Sequence, residues 1–279
     1  TPTIGGLIFI IPPIIALSLL ALRGSIDISP NLIIVIFVFL SYALLGFIDD
    51  FLKIKFHNNK GLSTMTKFVA QLLIAVVFYT IYKHNGGTTT LEITLINFKW
   101  DMGWFYGLFI LFLLVGTTNA VNITDGLDGL CGGLSVMAFL SYGVITWGSD
   151  WIAGYEGMAI FAFILVGSLL GFLLFNSHPA RVFMGDTGSL ALGGALATIA
   201  ILTHHELSLA LIGGVFVIET LSSLIQIISI RKFNKKVFLK APIHHHFEEL
   251  GWSETDIVKI FWTMGFLLAM FGVIYGVWL

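Results

Sequence analysis

The sequence predicts an all-α polytopic membrane protein of nine transmembrane helices, with a small outer β-hairpin around residues 88–98. Three observations predict it. Of 279 residues, 57% are hydrophobic before the 30 glycines are counted and only 11% are charged, against about 25% charged in an ordinary soluble domain. The apolar residues run in long unbroken stretches, which suits helices and not the alternating strands of a β-barrel. The remaining charge gathers in clusters between those stretches. A typical soluble enzyme and a disordered chain are thereby excluded. A net charge of -2 gives no reason to expect nucleic acid. The single cysteine, Cys131, excludes an intramolecular disulfide and a multi-cysteine metal site.

A bilayer core takes about 17–25 residues of helix. Stretches that meet this need run approximately 4–22, 31–48, 67–83, 104–122, 127–147, 153–175, 188–203, 207–230 and 256–279. Pro12 and Pro13 fall inside the first, where neighbouring helices can satisfy the freed backbone groups. Nine spans put the two chain ends on opposite sides. The side of the N-terminus holds Lys53, Lys55, Lys60, Lys67, Arg181, Arg231, Lys232, Lys235, Lys236, Lys240 and Lys259, eleven of the 14 cations. The other side holds Arg23, Lys83 and Lys99. The positive-inside rule makes the first side cytoplasmic, although phosphate-binding charge would give the same excess. On the outer side, Gly86-Gly87, Thr88 to Thr90 and the alternating Leu91 to Ile96 predict the hairpin. No soluble domain, low-complexity tract or repeat interrupts the spans, so residues 1–279 read as one integral membrane domain.

Charge is scarce in a membrane protein and points to function. Five polar clusters fall on the cytoplasmic side: Thr1 to Gly6, Asp49-Asp50 with Lys53, Asn122 to Gly129, Asn176 to Ser189, and Ala241 to Glu248. Asp49 and Asp50 end the second span. They read either as a solvated helix end or as a Mg²⁺ site or general base facing phosphate. Lys53 is placed to pair with Asp49, and Lys67 opens the next span. Asn122, Asp125 and Asp128 share a face if they are helical. Helix capping explains one of these acids but not all three polar residues. Pro179 breaks a helix, and Asp186, Thr187 and Ser189 open the next, a place suited to anions and a metal or to an ordinary N-cap. Phe183 is either a stacking surface for a base or an interfacial aromatic.

His244, His245 and His246 are adjacent, and adjacent helical side chains point about 100° apart, so one zinc ion cannot readily take all three. Contact with phosphate or a plain surface loop are the two readings. Ser253 to Asp256 forms a capping box for the last span. Glu219 lies in the eighth stretch with Gln226 two turns on, either paired inside the bundle or lining a cavity. His204, His205, Glu206 and Asp150 lie on the outer side and are assigned no chemistry.

Acids for a cation, bases for phosphate and a site at the membrane surface suit phosphoryl transfer involving a lipid phosphate. Here the motifs become specific. Thr1-Pro-Thr-Ile-Gly-Gly6, Asp49-Asp50, Asn122-Ile-Thr-Asp-Gly-Leu-Asp-Gly129, Phe183-Met-Gly-Asp-Thr-Gly-Ser189 and Pro242-Ile-His-His-His-Phe-Glu248 follow in order over nearly the whole chain. Together they resemble the polyprenyl-phosphate N-acetylhexosamine-1-phosphate transferase superfamily. The Pro-Ile-His-His-His-Phe-Glu form resembles its bacterial branch that uses UDP-N-acetylmuramoyl-pentapeptide.

The resemblance implies transfer of the phospho-sugar to undecaprenyl phosphate, giving lipid I and UMP, with Mg²⁺ as cofactor, in a homodimer of the bacterial plasma membrane. It implies that Asp186 holds the metal and that Asp49, with Asp50 beside it, is the base or orienting acid. Thr3, Asn122, Asp125, Asp128, Asn176 and Phe183 would line the nucleoside and phosphate pocket. Lys53 and Lys67 would steer phosphates, and His244, His245 and His246 would meet the donor. The family has ten spans, so this sequence, which starts without Met, is expected to be a truncated form lacking the first span. The rival class is an ion- or proton-coupled transporter, which predicts midplane acids and inverted repeats; Glu219 is one such acid, and no repeat is visible.

Overall fold

The computed structural model describes residues 2–56, 61–93, 96, 98–148 and 154–278. Thr1, Lys60, Thr94, Leu95 and Asp150 lie outside the described residues. The helices are α1 (Leu7–Leu22), α2 (Pro30–Lys55), α3 (Thr64–His84), α4 (Phe105–Thr124), α5 (Leu130–Gly148), α6 (Glu156–Asn176), α7 (Gly185–Leu202), α8 (Glu206–Ile212), α9 (Gly214–Phe233), α10 (Ile243–Glu249) and α11 (Glu254–Trp278). Strands β1 (Thr90–Ile93) and β2 (Phe98–Asp101) join α3 to α4.

Local chemistry sets these boundaries. Ser29 caps α2 by accepting the Leu32 N–H, with Pro30 at the first helical position, where its missing N–H costs nothing. Ser63 caps α3 through the Thr66 N–H. Among the described residues, eight helices are long and apolar enough to cross a membrane: α2 to α7, α9 and α11. At 16 residues, α1 is shorter and runs on through Pro12 and Pro13. The expected span 207–230 is not one helix. It divides at Gly213 into α8 and α9, a break that hydropathy cannot register because the side chains on both sides are apolar.

The centre of the bundle is α7, buried at every position from Thr187 to Leu202. Its small residues let α2 and α4 approach closely. A Cβ on Gly193 would lie 2.5 Å from the Thr118 backbone, and one on Gly194 would lie 2.5 Å from the Tyr42 ring. Around this centre α5 packs on α6 and α11, and α1 on α6. The periphery is apolar and exposed, as at Leu44, Leu73, Phe112, Leu174 and Phe271, which is the surface a lipid solvent requires.

One end of the bundle carries the hairpin, where Glu92 faces Lys99 across the antiparallel ladder and pairs with it at 2.8 Å. The second strand lies at 98–101, beyond the alternating run that predicts the first. Glu206 sits at this end too, buried, and accepts a hydrogen bond from the Tyr106 hydroxyl. The opposite end gathers all five polar clusters.

Candidate active site

The clusters meet through specific bonds. The N-terminal segment lies along the stretch before α7: Phe183 N–H donates to the Pro2 carbonyl at 2.8 Å, Gly5 N–H to Phe183 at 2.9 Å and Gly6 N–H to Met184 at 3.0 Å. Gly185, at φ +71°, has the backbone of Thr3 on one side and the Asp50 carboxylate on the other, leaving no room for a side chain. Gly46 serves the same purpose on α2, where a Cβ would lie 2.1 Å from the Asp186 carbonyl oxygen. These close approaches bring the C-terminal end of α2 against the start of α7.

Three carboxylates converge there. Asp49, Asp50 and Asp186 each offer an oxygen within 4.8 Å of the others, a group able to hold a metal ion. Two lysines share them. Lys53 Nζ lies 2.6 Å from Asp49, 3.4 Å from Asp50 and 3.4 Å from Asp186. Lys67 Nζ lies 2.9 Å from Asp186 and 3.6 Å from Asp49. Asp49 also accepts the Leu62 N–H at 2.7 Å, so the α2–α3 connection folds over it. Asn122 Nδ2 donates to Asp186 at 2.9 Å and to the Ser189 hydroxyl at 2.8 Å, fixing the Asp186 carboxylate from α4.

The two adjacent aspartates have different surroundings. Asp50 accepts the Thr187 N–H at 2.8 Å, the Thr187 hydroxyl at 2.7 Å and the Asp186 N–H at 3.3 Å. It caps α7 from another helix. The sequence expectation of an anion at the start of α7 therefore meets amides already taken by a carboxylate of the protein. Asp49 meets Lys53, Lys67, the Leu62 N–H and the Asp186 carboxylate among the described residues, and caps no helix there.

Asn122, Asp125 and Asp128 were expected on one helical face. The helix ends at Thr124, and Asp125 to Gly129 form a turn. That turn still brings them to one cavity of about 350 Å³, together with Thr3, Asp50, Lys53, Asn176, Phe183 and Asp186. Burial, with the carboxylates of Asp186 and Asp50, pushes the Asp125 carboxyl up to about 7. Asp128 accepts the Ala180 N–H at 2.9 Å, and Asn176 accepts the Gly129 N–H at 3.2 Å while donating to Val182 at 2.9 Å. Both tie the turn to the loop before α7. Phe183 remains 41% exposed at the cavity edge, free to stack on a planar ligand.

The histidines part company. His244 is buried beneath Gly126, its Nδ1 2.9 Å from Glu219. His245 pairs with Glu248, and His246 accepts the Leu239 N–H at 3.2 Å. None of the three lines the cavity.

Sequence reasoning passed over His178 and Glu254. Glu254 accepts the Asp128 N–H at 2.6 Å, and its other oxygen lies 3.1 Å from His178, itself 3.2 Å from Asp128. The capping box at Ser253 is present through the Asp256 N–H at 3.2 Å. It hid the second task of the neighbouring glutamate.

A buried acidic cluster balanced by lysines, at one end of a bundle of apolar helices, is an arrangement suited to group transfer at a membrane surface. Comparison with known proteins agrees. Residues 32–204 match glycosyl transferase family 4. Over its full 279 residues the chain is 48% identical to phospho-N-acetylmuramoyl-pentapeptide-transferase of Bacillus subtilis (strain 168), covering 85% of that protein. It is 49% identical over 279 residues to the transferase of the same name from Geobacillus sp. (strain WCH70), again covering 85%. The chain belongs to glycosyl transferase family 4, among the phospho-N-acetylmuramoyl-pentapeptide-transferases.

Proposed function

We propose that the chain transfers phospho-N-acetylmuramoyl-pentapeptide from its UDP donor to undecaprenyl phosphate, giving lipid I and UMP, the first membrane step of peptidoglycan synthesis. The observation that carries the chemistry is the triad of Asp49, Asp50 and Asp186 with Lys53 and Lys67, of which Asp50, Asp186 and Lys53 line the cavity. An oxygen of the acceptor phosphate attacks the phosphorus bonded to the sugar. The bond from that phosphorus to the uridylate oxygen breaks, and UMP leaves with the electron pair. Lys53 and Lys67 are placed to neutralise phosphate charge during this exchange. Asp49, without the capping bonds that occupy Asp50, is the acid left to orient or deprotonate the acceptor.

The donor set fits Mg²⁺, which prefers hard oxygen ligands and few carboxylates. Asp186 would be its principal ligand, since Asn122 orients it and it is less buried than Asp49 and Asp50. The ion would supply charge neutralisation on the diphosphate. Phe183 would stack on uracil, and Asp125, Asp128 and Asn176 would shape the donor pocket. This reading takes α1 as a ninth span beside the eight long helices and puts the site on the cytoplasmic face of the plasma membrane, a side that the positive-inside rule supports. A homodimer is part of this reading.

The reading supports direct attack without a phospho-enzyme, and a phospho-aspartate trapped on donor alone would contradict it. The main test incubates purified protein with labelled UDP-N-acetylmuramoyl-pentapeptide, undecaprenyl phosphate and Mg²⁺. Lipid-linked product and UMP should appear in equal amounts. No lipid-linked product, or equal use of a donor without the peptide, would overturn the assignment.

A further inference from the structure

Glu219 belongs to a polar stripe on a span that is otherwise apolar. Glu219, Ser222, Gln226 and Ser229 follow at intervals of three and four residues, so they share one face of α9. Asn234, in the left-handed conformation at φ 51°, ends α9 and turns the chain back along that face. The stripe then takes hold of the returning segment at successive points. Ser229 donates to the Lys235 carbonyl at 2.8 Å. Gln226 accepts the N–H groups of Val237 and Phe238, both at 3.0 Å, and donates to the Phe238 carbonyl at 2.9 Å. Ser222 accepts the Ile243 N–H at 2.9 Å. Glu219, last in the series, reaches His244 Nδ1 at 2.9 Å.

This last contact differs from the others because it is buried and incomplete. The Glu219 and His244 side chains are 0% and 1% exposed. Among the described residues His244 Nε2 has no hydrogen-bond partner, nor has Glu219 Oε1. The unpartnered nitrogen points at the Asn122 to Gly129 turn, for a Cβ on Gly126 would lie only 2.4 Å from it. Gly126 also lines the cavity, which His244 does not reach. With Glu219 as the acceptor, Nδ1 carries a proton, and in the neutral ring Nε2 then keeps its lone pair. A buried nitrogen without a partner calls for an explanation.

We propose that Glu219 is a positioning residue of the transfer reaction: its carboxylate fixes the ring and tautomer of His244 so that Nε2 supports the Gly126 turn from beneath the donor pocket. The inference rests on the donor-pocket reading above. It assigns the buried acid of α9 to the reaction, by way of the histidine motif, and gives Gly126 a reason to be glycine. Such orienting carboxylates behind functional histidines are worth about 10- to 100-fold where they have been removed from metal sites.

The test uses full-length protein carrying Glu219→Gln, Glu219→Asp, His244→Asn and the double change Glu219→Gln with His244→Asn. A carboxylate only accepts from Nδ1, whereas an amide can donate to it or accept from it, so Glu219→Gln should cost His244 its single Nδ1–H tautomer, visible in nitrogen NMR of labelled histidine. Its kcat/KM for the donor should fall about 10- to 100-fold, with the KM for undecaprenyl phosphate within about twofold. Glu219→Asp should recover part of the loss. Because Glu219 acts through His244, the double change should be no worse than His244→Asn alone. Additive losses in the double change, or Glu219→Gln with unchanged donor kinetics, would overturn the proposal. If Glu219→Gln does not fold, Glu219→Asp with an unshifted His244 signal and unchanged kinetics would do the same. A bare Nδ1 in the unmodified protein would overturn it without any turnover, whereas failure of unmodified protein to use the donor would sink the functional reading instead.

Discussion

The two ends of the bundle both bury acid, in opposite ways. At one end Asp49, Asp50 and Asp186 share Lys53 and Lys67 around an open cavity. At the other end Glu206 stands against the Tyr106 hydroxyl, with its second oxygen buried and without a hydrogen-bond partner. The first arrangement keeps opposite charges together beside a space for ligand. The second has no cation paired with its carboxylate among the described residues and holds the turn between α7 and α8 against α4. Burial of an acid is therefore not the mark of the reaction centre. Several carboxylates paired with lysines beside a cavity are what the proposed centre rests on.

The comparison can be broken or sharpened in order of effect. Asp186→Asn should lower kcat by about 10³-fold, since it removes the proposed metal ligand. Retained turnover in a Mg²⁺ titration would move the reaction elsewhere. Lys67→Met should cost about 10- to 100-fold in kcat/KM through lost charge neutralisation, corresponding to roughly 1.4–2.8 kcal/mol, and added salt should not restore it. Phe183→Ala should raise the donor KM about 10-fold if uracil stacks there, the scale of base stacking on aromatic side chains. The acceptor KM should stay put.

A smaller effect concerns pH. Burial and neighbouring carboxylates push Asp125 up to about 7, well above the unfolded value of about 4. The native state thus binds the proton more tightly. That stabilisation is complete below about pH 4 and is lost as pH rises through 7. In chelator, Tm should fall between pH 5 and pH 8, and Asp125→Asn should reduce the fall by about 3 °C. A pH-independent difference between the two proteins would contradict this.

The spans and the five clusters were legible because charge in a membrane is costly and stands out against Leu, Ile and Phe. Asp49, Asp186 and Asp128 could be picked from the chain on that ground alone, and Asn122 by its helical spacing from the acids. Their geometry could not. Asn122, Asp125 and Asp128 keep helical spacing, yet the chain leaves the helix at Thr124. The break at Gly213 is masked by continuous hydropathy. Glu254 reads as the first residue of a capped helix, but it also holds Asp128, 126 residues away. Long-range pairings of that kind leave no local pattern. Glu219 was visible as an anomaly, and only the fold gives it His244.

The most direct measurement places one acid from each end in the same assay: UMP release by unmodified protein, Asp186→Asn and Glu206→Gln in matched membranes over a Mg²⁺ titration. Glu206→Gln should stay within about twofold of unmodified protein, because a neutral amide can still accept from Tyr106, while Asp186→Asn should lose about 10³-fold at every Mg²⁺ concentration. Equal losses at both positions, or full activity in Asp186→Asn, would contradict a reaction centred on the lysine-bound acids.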